Sequence, residues 1–311
     1  MTRRDACPAC AAAPARPVAL LRFGAPPLSD YLRAFYADHP GCDFSTLAGK
    51  DLAIAECPRC GCIFQATVPD DAFLARFYRD GLYGGLAPER AVEPYVFELM
   101  AREMAMVVRF LQPRVARPAV LDFGTGEGQW ARLAASTGLA THACDVSDHA
   151  FARLAAAGIT CHRTSELPHA AFDFINTEQV FEHLPRPADE VVRLAAALRP
   201  GGVLKIGVPH DPLLRKKLGS PDWLAPKNSP ASLNGIAPVE HLNHFSPEAL
   251  RHLAARAGLE ALAVRGWELL PGATRRPGLR SQVALRVRTR LRDVYRPAYP
   301  LTQTAFFVRA A

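Results

Sequence analysis

Long apolar runs are absent from these 311 residues: no stretch approaches the ~18 consecutive apolar residues of a spanning helix, which excludes a membrane span. No signal peptide is expected either, because Met1-Thr-Arg-Arg-Asp-Ala-Cys7 carries positive charge with no apolar core behind it. The cytoplasm is therefore the expected compartment, and disulfides are disfavoured there. Acid is scarce from Arg265 to Ala311, where ten arginines face only Glu268 and Asp293. This segment contributes +8 to a net charge of +7, which leaves the rest of the chain near neutral. Such a tail suits a phosphorylated substrate, a nucleic acid or an anionic membrane surface, or is simply a solvated arginine-rich face. What is present is ordinary for a globular protein: 49% hydrophobic and 22% charged residues, in a length that suits one large domain and one small one.

Cysteine is grouped. Cys7-Pro-Ala-Cys10 and Cys57-Pro-Arg-Cys60-Gly61 are two C-x-x-C knuckles, and four thiolates in two such pairs match a tetrahedral structural zinc. A redox C-x-x-C is the alternative. Cys42 and Cys62 are spare or substitute ligands, or lone buried thiols like Cys144 and Cys161. Between the knuckles, the prolines of Phe23-Gly-Ala-Pro-Pro-Leu-Ser-Asp-Tyr31 predict a fixed, extended path. A short helix is predicted over Phe73–Tyr78, then a glycine-rich stretch over Asp80–Gly85.

The chain is organised around Ala119-Val-Leu-Asp-Phe-Gly-Thr-Gly-Glu-Gly128, a short apolar strand that turns through three glycines into a helix from Gln129. A Gly-rich turn lets a ligand approach the backbone, and the helix start offers unpaired N–H groups. Short apolar runs then alternate with helical segments, which predicts a mostly parallel sheet covered on both faces. Asp145 closes the next strand, and Phe172-Asp-Phe-Ile-Asn176, Val180-Phe-Glu-His-Leu-Pro185 and Leu198-Arg-Pro-Gly-Gly202 follow. A long Pro-, Gly- and Asn-rich insertion spans 208–245 and ends in Val239-Glu-His-Leu-Asn-His-Phe-Ser246. Leu259–Leu270 and Thr302–Arg309 read as a closing strand pair, with a basic helical insertion over 271–300 that could cap a phosphorylated substrate, bind RNA or form an oligomer contact.

In this order, the phrases from roughly Ala87 onward resemble the class I S-adenosylmethionine-dependent methyltransferases. The resemblance implies a doubly wound, Rossmann-like, seven-stranded α/β domain over 86–311, with S-adenosylmethionine as cofactor. It implies that Asp145 accepts the ribose hydroxyls and that Gly124, Gly126 and Gly128 pass close to the methionine moiety. Asp122 would orient that loop or meet the ammonium head, Glu166 would border the adenine, and Asn176 would join the cofactor contacts. His183 would lie beside the methyl-transfer region, or cap the following helix.

Residues 1–85 are similar to the N-terminal zinc-binding domain of sugar C-methyltransferases: a knuckle, a Pro-Leu-Ser-Asp loop, a C-P-x-C-G knuckle followed by Gln65, and a tyrosine segment. That likeness implies zinc on Cys7, Cys10, Cys57 and Cys60, a zinc-ribbon-like module over the substrate pocket, and Tyr83 as the tyrosine that enters the site or packs between domains. It also makes Glu240-His241 the candidate proton acceptor and partner, since carbon methylation needs a base and histidine suits that work near neutrality. His241 or His244 could instead only order the loop. Two departures count against a sugar: Pro238 stands where the family has a tyrosine, and its further C-terminal domain is lacking. The expected function is methyl transfer to a small molecule, phosphorylated or nucleotide-linked. O- or N-methylation of another intermediate is the alternative, and an RNA substrate is disfavoured because Asn176-Thr-Glu-Gln179 replaces the amide clamp of base methylation.

Overall fold

The computed structural model describes residues 1–82, 94–226, 229–263 and 301–310. Tyr83 and the whole basic insertion 271–300 lie outside the described residues. Seven strands form the large sheet, numbered here β1 Ala119–Phe123, β2 Ala140–Asp145, β3 Thr160–Arg163, β4 Phe172–Glu178, β5 Leu198–His210, β6 Leu259–Leu262 and β7 Leu301–Arg309. Their order is β6-β7-β5-β4-β1-β2-β3. β1 runs parallel to β2 and β4, with Leu121 opposite His142 and Ile175, and β5 runs parallel to β4. Only β7 is reversed, pairing antiparallel with both β5 and β6.

All five residues of β1 are buried, as are the first six of β4, because helices cover both faces of the sheet. Helix Pro94–Leu111 packs Met104, Val107 and Leu111 against Val120, Trp130 and Phe174 on one face. Helices Pro187–Ala197 and Pro247–Ala255 close the other over Leu121, Phe123 and Ile175. This is the predicted doubly wound α/β sheet. Among the described residues no helix is long and apolar enough to cross a membrane.

The N-terminal residues build a four-stranded antiparallel sheet, in the order Asn243–His244, Ile63–Gln65, Asp51–Glu56, Arg16–Arg22. Its edge strand comes from the end of the insertion, with Asn243 opposite Phe64 and His244 opposite Ile63. The rest of the insertion follows it: Leu214, Leu218, Trp223, Ile236 and Leu242 share a core with Phe23, Leu28, Tyr36, Leu52 and Phe73. The two proline-flanked expectations change in detail. The extended path stops at Pro27, because Leu28–Phe35 is a helix with Pro27 at its N-cap, where the fixed φ of proline suits helix entry. The short helix spans Asp71–Arg76, capped by the Asp70 carboxylate on the Phe73 N–H, and continues as a π-helical turn over Phe77–Leu82.

Candidate functional site

β1 is the switch point of the sheet: the chain moves from it to β2 on one side and returns to β4 on the other. Ligands of open α/β sheets bind in the crevice beyond the strand ends at such a point. The glycine loop lies there. Gly124, Gly126 and Gly128 all have positive φ, at 76°, 51° and 75°. A Cβ on Gly124 would fall 2.4 Å from Val180 Cγ2, whereas one on Gly126 would meet nothing within 4 Å. The loop is thus packed tightly beneath Gly124 and open above Gly126. We expect Gly124→Ala to destabilise the fold by about 2–3 kcal/mol through overpacking and strain, and Gly126→Ala by only about 1 kcal/mol. Denaturation midpoints of the two variants measure the difference.

Asp145 binds this loop from the end of β2. Its carboxylate accepts from the Gly126 N–H at 2.8 Å and the Ser147 N–H at 3.0 Å, and the residue is buried at 8% exposure. Carboxylate lone pairs left over from these bonds suit ribose hydroxyls. Asp122 lies deeper, wholly buried, accepting from Thr125 Oγ1 at 2.8 Å and Asn176 Nδ2 at 2.7 Å. Burial raises its pKa to about 6. Asp122 therefore shapes the loop from below, and Asn176 acts on Asp122. Asn176 Oδ1 and, next to the loop, Gln179 Nε2 are buried without a protein partner. Gln179 also holds a positive φ of 55°, strain of the kind that gathers at ligand sites. The donor set fits an adenosyl-amino-acid ligand. Glu166 is exposed on the turn Thr164–Glu166 after β3, and no hydrogen bond ties it to the loop.

Glu240 and His241 lie on a tight turn rather than a strand, so they are not forced onto opposite faces as strand neighbours are. Gln65 clamps that turn: its Nε2 donates to the carbonyls of Ala237 and His241, both at 3.0 Å. Arg4 stitches the same strands, donating to Gln65 O, Leu242 O and Asn243 Oδ1. The Glu240 carboxylate accepts from Tyr36 Oη at 3.0 Å, and burial holds that phenol neutral. His241 Nδ1 is 2.5 Å from Asn234 O; a carbonyl only accepts, so Nδ1 carries the proton and Nε2 the lone pair. His183 Nδ1 lies 3.0 Å from Glu240 O and 3.1 Å from Tyr78 Oη, and its ring meets His241 edge-on at 4.8 Å. Tyr36, Gln65 and Tyr78 all come from the N-terminal module. Sequence reasoning noticed only Gln65, as a motif letter.

His244 separates from His241 here. It is buried, its Nε2 accepts from the Asp211 N–H at 3.1 Å, and burial lowers its pKa to about 4. It orders the loop as a neutral ring. A group whose folded pKa lies below its unfolded value loses stability as pH falls through that window, so at pH 5 His244 should cost about 2 kcal/mol relative to pH 7. Asp122 shifts the other way and offsets this in the whole protein. Denaturant melts at pH 7 and pH 5 should therefore show His244→Gln gaining about 2 kcal/mol on the wild type as pH drops.

Cys7, Cys10, Cys57 and Cys60 come together, their sulfurs within 4.8 Å of one another. The Cys7–Cys60 and Cys10–Cys57 sulfurs stand 3.6 and 3.5 Å apart, close to the ~3.8 Å edge of a tetrahedron of ~2.3 Å Zn–S bonds. Contact with Cys60 and Cys62 holds the Cys7 thiol well below its ordinary range. Cys62 sits outside the four, as does Cys42.

A mostly parallel sheet with a glycine loop at its switch point and an acid closing the next strand fits a class I, S-adenosylmethionine-dependent methyltransferase. The family model described as "Methyltransferase domain" matches residues 95–264, over half of the chain, and the chain belongs to that family. No curated protein matches the sequence. Among solved structures, the fold is similar to 1,6-didemethyltoxoflavin-N1-methyltransferase of Burkholderia thailandensis, bound to 1,6-didemethyltoxoflavin and S-adenosylhomocysteine. Identity is 18%, over 84% of this chain and 96% of that one, with a TM-score of 0.50. It is also similar to an S-adenosylmethionine-dependent methyltransferase of Mesorhizobium loti, at 21% identity over 65% and 96% of the two chains and a TM-score of 0.42. A third is phosphoethanolamine N-methyltransferase 2 of Haemonchus contortus, in complex with S-adenosyl-L-methionine, at 17% identity over 80% and 62% and a TM-score of 0.41.

Proposed function

We propose that the chain methylates a small molecule, foremost a carbon of a nucleotide-linked sugar, with His241 and Glu240 as its acid–base pair and a structural zinc on Cys7, Cys10, Cys57 and Cys60. One observation carries this reading: Gln65, Tyr36 and Tyr78 of the cysteine module hold Glu240, His241 and His183 beside the crevice of the glycine loop. S-adenosylmethionine supplies an already activated methyl group, so the protein has to position the acceptor and take up a proton. His241 presents Nε2 for that proton, and Asn234 O stabilises the imidazolium formed. The Tyr36–Glu240 contact fills the role of the tyrosine that Pro238 displaces from the turn. The Burkholderia enzyme, bound to 1,6-didemethyltoxoflavin and S-adenosylhomocysteine, supports a small acceptor.

The test is methyl transfer from labelled cofactor into a metabolite extract, with the product identified. His241→Ala should lower turnover by ~10²–10⁴-fold and leave cofactor affinity unchanged. Label entering RNA instead of metabolites would overturn the acceptor class, and unaltered turnover would remove His241 from the reaction.

A further inference from the structure

Glu182 is 1% exposed, and among the described residues neither carboxylate oxygen has a hydrogen-bond partner. An ionised carboxylate so placed costs several kcal/mol unless a charge meets it. Around it lie Glu178 and Glu240, which add to the negative field rather than relieve it. Beside it is the His183 ring, whose Nε2 stands 3.8 Å from Glu182 Oε1. One ligand atom each from Glu182, His183 and His241 lie within 4.8 Å of one another. Both rings have Nδ1 turned onto a backbone carbonyl, Glu240 O for His183 and Asn234 O for His241, which puts each lone pair on Nε2. Metal-ligating histidines are oriented in this way.

We propose that Glu182, His183 and His241 form a metal site, separate from the four cysteines, for a first-row divalent cation of the Mn²⁺, Fe²⁺ or Zn²⁺ class. Two imidazoles and one carboxylate suit these ions and leave coordination positions open. Bonds of about 2.0–2.2 Å require the three groups to draw in by on the order of 1 Å, a side-chain adjustment. The cation supplies the positive charge that the buried Glu182 lacks. Where Glu240 and His241 act as proposed above, a cation on His241 Nε2 passes proton acceptance to Glu240; the metal site itself does not rest on that reading.

Thiolates select zinc over Mn²⁺, so Mn²⁺ added to the full chain reports the nitrogen–oxygen site. Metal present in the purified chain plus Mn²⁺ taken up, followed by loss of the free-ion electron paramagnetic resonance signal, should total two per chain. For Glu182→Gln the total should fall to one, with Mn²⁺ affinity lowered at least ~100-fold. Gln is nearly isosteric with the neutral carboxyl that burial favours when no cation is bound, so the melting temperature of this variant without added metal should stay near the wild type. Pulsed resonance on wild-type protein should show coupling to two imidazole nitrogens, a readout independent of any variant. A wild type that binds no metal beyond that held by the cysteines, equal uptake by Glu182→Gln, or bound Mn²⁺ without imidazole coupling would each overturn the site. None of these readings requires methyl transfer, so failure of the proposed reaction leaves them interpretable.

Discussion

Asp145→Ala should weaken S-adenosylmethionine binding by ~10²–10⁴-fold, the largest effect expected of any single change in the crevice. Two ribose hydroxyls donating to one carboxylate are charge-assisted bonds worth about 1.5–3 kcal/mol each, and their joint loss gives that range. The same side chain accepts from Gly126 N and Ser147 N, so its removal also loosens the loop over which the methionine moiety would lie. Asp145→Asn separates the two roles. The amide keeps one oxygen for the loop, so stability should stay near the wild type while affinity still falls, though less far. Isothermal titration of both variants is decisive: unchanged affinity in the alanine variant would place the cofactor elsewhere.

The sheet was legible because parallel strands buried on both faces read as short apolar runs, and Ala119–Phe123 and Phe172–Asn176 have no polar face to mislead. Asp122, Gly124 and Asp145 were legible for a related reason: loop and acid all sit within a few residues of a strand end. The proposed acid–base cluster was only half visible. Glu240-His241 can be recognised as letters, but Tyr36 reaches Glu240 across 204 positions, and Tyr78 reaches His183 across 105. No local pattern encodes such contacts. Glu182 is hidden for the opposite reason, since a glutamate is normally taken for surface, and its burial emerges only in the folded structure. Pro238 looked like a missing functional residue. In the fold, its carbonyl and the Glu240 carboxylate both lie within reach of Tyr36 Oη, so the module provides the phenol that the turn lacks.

Disrupting the four-cysteine cluster should then abolish turnover while leaving cofactor binding intact. A structural zinc contributes on the order of 10 kcal/mol to the unit it folds, more than most domains have in reserve. The knuckle Cys57–Cys60 leads directly into strand Ile63–Gln65, and Gln65 Nε2 holds the turn bearing Glu240 and His241. Ser246 Oγ donates to the Cys60 carbonyl and caps helix Pro247–Ala255, tying the far end of the same segment to the knuckle. Loss of the proposed metal would therefore remove the support on both sides of the proposed acid–base turn. The glycine loop is spared, because Asp122, Asn176, Thr125 and Asp145 satisfy it from within the large sheet. Cys57→Ser should purify with one zinc fewer per chain, bind S-adenosylmethionine within about threefold of the wild type, and show turnover reduced by at least ~10³-fold. Gln65→Ala should retain the zinc and reproduce part of the turnover loss, because it removes only the clamp. Full activity in zinc-free Cys57→Ser would show that the module does not position the turn, and the link from cysteine cluster to chemistry would fail at Gln65.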